Sequence, residues 1–369
     1  MPTKLLIDLS MLRHPHCGLG QVALNYGRWA PYILSQLSAH IPNIQLTLLV
    51  PRSYLGSFGS QVSYVEAKPL LRSFPVLFPQ YDLWHSIHQL SPFRPTHATP
   101  RLLTIHDLNF LYEKEGAKRQ RYLRRLQSEC NASSAITFIS QYAQSDALQH
   151  LDLSGKPLQI IYNGVEDLTT GPIDPPQGID PSRPFFLCMG VLKPKKNLHL
   201  LLPAMQHLPA YDLVIAGNDS DPYARHLRTL IPSTGNVRII GPVSDPARRW
   251  LYAHCTALLF PSQCEGFGLP LIEAMQWGKP AFASRYTSLP EIGADLAFYF
   301  PPLDTPEPQR SSLIASTILN SLPLFTPQRA EAERQHAASF SYKKHIDNYI
   351  QLYLTLLDSS KNPLLNPSF

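Results

Sequence analysis

Two series of short apolar runs, separated by a proline-rich break, set the tightest limit on how this chain folds. The first series comprises KLLIDLS (4–10), IQLTLLV (44–50), DLWHSI (82–87), RLLTIHD (101–107), AITFIS (135–140) and LQIIYN (158–163). The second comprises PFFLCMG (184–190), YDLVIAG (211–217), NVRIIG (236–241), ALLFP (257–261) and PAFAS (280–284). Helical stretches, such as residues 21–39, fall between the runs. Strand–helix alternation at this spacing builds a parallel, doubly wound sheet. Two series therefore predict an α/β chain with two such sheets. The length of 369 residues also exceeds the size at which one core keeps growing. We expect a first domain over 1–170, a linker over 171–183 rich in Pro, Gly and Asp, and a second domain over 184–339.

Composition narrows the class. With 44% hydrophobic and 16% charged residues the chain is globular rather than disordered. No run approaches the ~18 apolar residues of a membrane span, and Asp8 interrupts the N-terminal apolar run, which argues against a signal peptide. Cys17, Cys130, Cys188, Cys255 and Cys264 are scattered and free of Cys-x-x-Cys spacing, so they read as free thiols in a reducing cytoplasm. The net charge is +5, and residues 1–170 carry most of the excess, with 15 Lys and Arg against 11 Asp and Glu. That bias suits an anionic lipid surface or acidic acceptor and is too small to argue for nucleic acid.

The chemistry concentrates at EGFGLPLIE, from Glu265 to Glu273: two carboxylates eight residues apart around a loop with two glycines. An apolar strand run precedes it, and LIEAMQWG follows as a helix stopped by Gly278. Gly266 and Gly268 let backbone N–H groups approach a ligand, Pro270 fits a first helical turn, and the helix start presents unpaired donors and a positive dipole end. Two carboxylates beside an anion-receptive loop suit a ligand bearing both hydroxyls and phosphate, such as a nucleotide sugar. The same letters also fit a capped helix with two incidental acids.

The enclosed GFGLP decides between these, because Glu-x7-Glu around a GFG-type loop resembles the retaining glycosyltransferases of family 4, which have the GT-B fold of two Rossmann-like domains. The resemblance extends in order through HDL (106–108), FIS (138–140), YNGV (162–165) and PKKN (194–197) to the tail. It implies that Glu265 holds donor-sugar hydroxyls, Glu273 the ribose hydroxyls, and Gly266, Phe267, Gly268 and Leu269 the sugar and diphosphate. His106, after the fourth strand run, is implied to face the donor sugar. Gly18 and Gly20 are implied to lie near the diphosphate and acceptor. Lys196 and Lys195 are implied to neutralise the diphosphate as it leaves; Lys195 stands where a P-R-K-N subgroup has arginine, and Val191 where a common form of the pattern also has one. That subgroup includes many mannosyltransferases. The tail 341–357 carries Ile346, Tyr349, Ile350, Tyr353 and Leu357 on one face. In GT-B proteins such a helix, here residues 340–358, crosses back to the N-terminal domain.

Other features read more weakly. Asp219-Ser220-Asp221 could mimic a metal-holding Asp-x-Asp, but after the run DLVIAG it reads as a helix cap. His14, His16 and Cys17 lack a second cluster at ligand spacing, so no metal is expected. Helix 116–127 is strongly basic, with Lys118, Arg121 and Arg125 on one side, which suits either solvent or an anionic membrane. Trp84, His85 and His88 are candidates for an acceptor-sugar subsite. The expectation is thus a cytoplasmic glycosyltransferase in peripheral contact with the inner face of the membrane. It would need no cofactor and would move a hexose, with mannose favoured, from a nucleotide diphosphate sugar to a glycan or lipid-linked acceptor in cell-surface polysaccharide synthesis. A non-hydrolysing nucleotide-sugar epimerase and a non-catalytic binding protein of the same fold are the alternatives.

Overall fold

The computed structural model of the protein describes residues 2–15, 17–96 and 99–361, so His16 lies outside the described residues. The chain divides into two compact units, Met1–Gly164 with Tyr342–Phe369, and Val165–Ser341. Both are doubly wound.

The first unit holds a seven-stranded sheet in the order β3-β2-β1-β4-β5-β6-β7, with every pairing parallel. Its strands are β1 (Thr3–Asp8), β2 (Ile44–Val50), β3 (Ser63–Glu66), β4 (Leu83–Ser86), β5 (Arg101–Ile105), β6 (Ala135–Phe138) and β7 (Leu158–Ile160). The sequence reading missed β3 because SYVE is an edge strand, half-exposed and without an apolar run. The strand order reverses between β1 and β4, the place where open α/β sheets leave a ligand crevice.

Helix Gly18–His40 and the terminal helix Tyr342–Lys361 cover one side of this sheet. The apolar stripe of the terminal helix is spent entirely on that contact: Ile346, Tyr349, Ile350, Tyr353 and Leu357 are all buried in the first unit's core. Buried hydroxyls fasten it further. Tyr353 Oη meets His85 Nδ1 at 2.7 Å, and Tyr349 Oη lies 3.0 Å from both Thr104 and Thr137. Trp84 and His85 are therefore core residues, fully buried on a strand covered on both faces, and cannot line a sugar subsite.

The second unit has a six-stranded parallel sheet in the order β10-β9-β8-β11-β12-β13. Its strands are β8 (Phe185–Met189), β9 (Asp212–Ala216), β10 (Val237–Gly241), β11 (Ala257–Phe260), β12 (Ala281–Ala283) and β13 (Phe298–Tyr299). Here the order reverses between β8 and β11. The chain changes units earlier than its composition suggests, at Gly164, and the proline-rich stretch 171–183 belongs to the second unit. The reason is local pairing: Val165 N–H donates to Phe340 O (2.8 Å), and Val165 bridges Ser341 in parallel. Among the described residues no helix is long and apolar enough to cross a membrane.

Candidate active site

In the second unit the loop Pro261–Gly268 leaves the C-terminal end of β11 and turns into helix Leu269–Gln276. Gly268 is required at the turn: its φ is +104°, and a Cβ there would lie 2.6 Å from Leu289 Cδ2. Leu269 and Pro270 then supply the first helical turn. Phe267 is an anchor, with its ring buried edge-on against Phe340 at 5.5 Å. Two residues that the sequence reading passed over hold the loop in shape. Thr287 Oγ1 accepts from Glu265 N–H (3.0 Å), and Ser288 Oγ shares its one proton between the carbonyls of Glu265 and Phe267, both at 3.0 Å. Thr287 has φ +55°, an uncommon conformation for a β-branched residue, which marks a loop held by its surroundings. Their only sequence signal is position, just past a strand at the C-terminal edge of the sheet.

The second loop comes from β8. After Met189 it forms a 3-10 turn at Pro194–Lys196, and Asn197 follows in the left-handed region. Lys195 O accepts from Gln263 N–H (2.8 Å) and lies 3.3 Å from Ser262 Oγ, which stitches this loop to the one after β11. The stitching brings Lys196 Nζ into an ion pair with Glu265, whose Oε1 also accepts from Ser262 Oγ at 2.6 Å. Both side chains retain some exposure, 15% for Lys196 and 13% for Glu265, so the pair borders solvent. Lys196 Nζ lies 5.1 Å over the Phe260 ring and helps line a small recess with Met189, Gly190, Val191 and Ala216. That recess sits at the ends of β8, β9 and β11, the reversal point of the sheet.

Glu273 is one turn into the helix and nearly buried, with 4% of its side chain exposed. Its Oε1 is ion-paired with Arg248, and its Oε2 accepts from Tyr252 Oη at 2.7 Å. Arg248 and Tyr252 share helix Asp245–His254, whose N-cap Ser244 accepts from Ala247 N–H. Burial works against the Arg248 charge, yet Glu273 beside it outweighs burial and holds the guanidinium more firmly protonated than usual. Burial first, then Glu273, pushes Tyr252 well above the ordinary phenol range, so it remains a donor. Neither partner of Glu273 was foreseen.

Asp221 is the N-cap of helix Pro222–Thr229 and accepts from Tyr223 N–H (3.0 Å), while Asp219 pairs with Arg228 at 2.5 Å. Among the described residues no group of His, Cys, Asp and Glu could hold a metal ion.

The remaining candidates belong to the first unit. His106 follows β5 and is 5% exposed. Its Nε2 lies 2.7 Å from Ile87 O, which only a protonated nitrogen can satisfy, so Nδ1 carries the lone pair. Burial lowers its pKa to about 4, against a partial lift from the Ile87 carbonyl, leaving a neutral imidazole at physiological pH. Gln89 clamps the segment, accepting from His106 N–H (3.2 Å) and donating to Asp107 O (2.8 Å). Asp107 caps the following turn through Asn109 N–H. His88 borders His106, and its buried Nδ1 has no hydrogen-bond partner.

Gly18 opens helix Gly18–His40, and Cys17 at the N-cap makes no side-chain bond to it. A Cβ on Gly18 would meet nothing within 4 Å, so that helix start is open. Gly20 instead answers to the chain itself, since a Cβ there would lie 2.0 Å from His14 O.

Helix Gly116–Asn131 leaves Lys118, Arg119, Arg121 and Arg124 exposed. Arg125 has a structural task, donating to Leu90 O at 2.9 Å.

Comparison with known proteins agrees with this architecture. The family model for glycosyltransferase family 4 matches residues 39–167, and that for glycosyl transferases group 1 matches 171–304. Sucrose-phosphate synthase of Thermosynechococcus elongatus superposes with a TM-score of 0.72 over 97% of this chain and 100% of that one, at 17% identity. Anabaena HepE, solved in complex with UDP-glucose, superposes at 0.69 over 95% and 99%, at 19% identity. Two parallel doubly wound units matched end to end in this way define a GT-B protein. Among sequence relatives, the O-antigen chain mannosyltransferase B of Escherichia coli is 26% identical over 297 residues, 73% of this chain and 76% of that protein. The serotype-specific mannosyltransferase WbdA of Escherichia coli is 28% identical over 277 residues, 69% of this chain but only 33% of WbdA. The chain belongs to the family 4 glycosyltransferases and is a glycosyltransferase.

Proposed function

We propose that the protein transfers mannose from GDP-mannose to a glycan or lipid-linked acceptor in O-antigen-type surface polysaccharide synthesis, with retention of configuration. The observation that carries this reading is the Lys196–Glu265 pair at the open end of β8 and β11, beside the helix start that follows Gly268. An ammonium and a helix dipole suit a diphosphate, and a carboxylate suits sugar hydroxyls. The choice of mannose is supported by the relatives, among them mannosyltransferases that cover most of this chain.

In this scheme Glu273 accepts the ribose hydroxyls, and the backbone of Gly266, Phe267, Gly268 and Leu269 faces sugar and phosphate. Lys195 adds positive charge. Gly18 and Gly20, with the helix start they open, border the diphosphate and the acceptor. His106, neutral and holding its Nε2 proton on Ile87, offers Nδ1 to a sugar hydroxyl. His88, half-buried beside His106, lines the acceptor side. As the bond from C1 to the phosphate oxygen breaks, the acceptor oxygen bonds C1 from the same face. The acceptor proton passes to the departing phosphate oxygen. Lys196 and the helix dipole stabilise the charge that grows there, so no metal is needed. The reaction would take place at the cytoplasmic face of the membrane.

Glu265→Gln tests the assignment. It should lower mannosyl transfer by about 10–100-fold, the value of a hydrogen bond from a sugar hydroxyl to a charged group, while calorimetry finds GDP binding no weaker than in wild type. Transfer at the wild-type rate would refute the role of Glu265. GDP-mannose that neither binds nor reacts, where UDP-glucose does, would refute the donor.

A further inference from the structure

Between β3 and β4 the first unit carries a segment whose apolar side chains face both ways. Ala67 and Phe78 are buried and Leu71 partly so, packed with Tyr81, Trp84 and Phe93 beneath the sheet edge. Leu70, Phe74, Val76 and Leu77 point outward and are 55%, 54%, 75% and 52% exposed. Nowhere else among the described residues do even three large apolar side chains with this exposure fall within eight positions. Single exposed apolar residues need no explanation, but a contiguous cluster marks a contact surface.

Two further properties identify the partner. First, the segment closes part of its backbone internally. It folds as a short helix, Pro69–Ser73, and a 3-10 turn, Pro75–Leu77, with the N–H groups of Leu71, Phe74, Leu77 and Phe78 bonded to Lys68, Leu70, Phe74 and Pro75. A surface that docks by strand pairing would leave those groups free, whereas one entering lipid has to close them internally. Second, the charge is one-sided. Lys68 and Arg72 are exposed on the segment, and no carboxylate occurs from residue 67 to residue 81. The nearest acid, Glu66, is paired with Lys68 at 3.3 Å.

We propose that residues 68–78 form a membrane-docking wedge, in which Leu70, Phe74, Val76 and Leu77 enter the headgroup–acyl boundary of an anionic bilayer while Lys68 and Arg72 contact its phosphates. This inference is independent of the glycosyl-transfer chemistry. It concerns a different segment from the basic helix at 116–131, which presents charge without an apolar tip. Amphipathic elements of this kind sink only about 5–10 Å, so binding is reversible and strengthened by anionic lipid.

Co-sedimentation of the full chain with phosphatidylcholine vesicles, with and without phosphatidylglycerol, tests the proposal. Wild type should partition onto the anionic vesicles. Val76→Ser with Leu77→Ser should weaken partitioning at least roughly tenfold at both low and high salt, since each side chain withdrawn from lipid costs several-fold. Lys68→Glu with Arg72→Glu should weaken it at low salt and much less at high salt. Thermal melting and GDP affinity, which read the fold and the other unit, should not change in either variant. The proposal is overturned if wild type ignores anionic vesicles or if the serine variant binds them equally well. It is also overturned if sedimentation velocity finds a dimer that the serine variant dissociates, since the patch would then belong to a second copy.

Discussion

Removing the guanidinium of Arg248 measures what Glu273 does. In Arg248→Leu the aliphatic stem is roughly kept, and the nearly buried Glu273 carboxylate retains only the neutral Tyr252 phenol, at 2.7 Å. Breaking a buried pair from one side costs about 3–5 kcal/mol, because the surviving charge is left uncompensated. Arg248 keeps 22% of its side chain exposed, so water can enter and reduce the loss. A cost of about 2 kcal/mol lowers the melting temperature of a unit this size by roughly 4–8 °C. Binding gives the sharper readout. If Glu273 accepts the ribose hydroxyls, wild type should prefer GDP over 2′-deoxy-GDP by about 10–100-fold, the value of a hydrogen bond to a charged group. With Arg248 gone the carboxylate is no longer held in one orientation, and the preference should shrink severalfold. Arg248→Lys should restore part of it. Calorimetry with the two nucleotides and scanning fluorimetry suffice. Unchanged melting together with an unchanged preference would refute the claim that Arg248 positions Glu273.

Two further predictions concern pH. In the first unit, burial lowers His106 and His345 to about 4, His88 to about 3, and His85 well below its ordinary value. These folded values lie below the unfolded value, so the unfolded chain takes up protons first: stability is full above about pH 6.5 and falls as pH drops toward 4. The buried Asp8, raised by burial, opposes this in part. Each histidine that is neutral in the fold and protonated in the unfolded chain adds a slope of up to about 1.4 kcal/mol per pH unit near pH 5, and urea midpoints for this unit that do not fall between pH 6.5 and 5 would contradict it. In the second unit, Glu333 has the opposite sign. It is fully buried, neither carboxylate oxygen has a hydrogen bond, and burial raises it to about 8. Its contribution is full below the unfolded value of 4.5 and is lost as pH rises through 8. Glu333→Leu should therefore raise the melting temperature at pH 8 by several degrees, for about 2 kcal/mol of relieved desolvation, and by much less at pH 5; a variant that melts lower at pH 8 would show the carboxylate to be structurally required.

The sheets were legible because their central strands are buried on both faces and so read as continuous apolar runs. LLID in β1 and FFLCM in β8 are of this kind. The edges were not. β3 is half-exposed and β13 spans only Phe298–Tyr299, too short for any pattern to register. The stripe on the terminal helix was equally plain, since a 3.6-residue period over four turns leaves little choice of buried face. His85 misled because a polar side chain in a strand run suggests a site. Here Thr104 and a tyrosine 268 residues away satisfy it in the core.

The site shows where reading along the chain stops. Motifs identify residues one at a time, but what those residues do is fixed by contacts across the fold. Lys196 and Glu265 are 69 positions apart and read as two separate tools, one for phosphate and one for sugar. The structure joins them as one ion pair, held by Ser262 and by the Lys195–Gln263 backbone bond. That pairing spares a mostly buried carboxylate, 13% exposed, from standing alone, which would be costly. On the proposed reading, an arriving diphosphate competes for the lysine, and the sugar hydroxyls take its place on Glu265. Each half of the donor then replaces a contact that the pair itself makes. Neither half alone does so, because phosphate without sugar leaves the acid bare, and sugar without phosphate leaves the lysine where it is. The pair thus favours the intact donor over either fragment. That preference follows from geometry, which no spacing of letters within either motif could have disclosed.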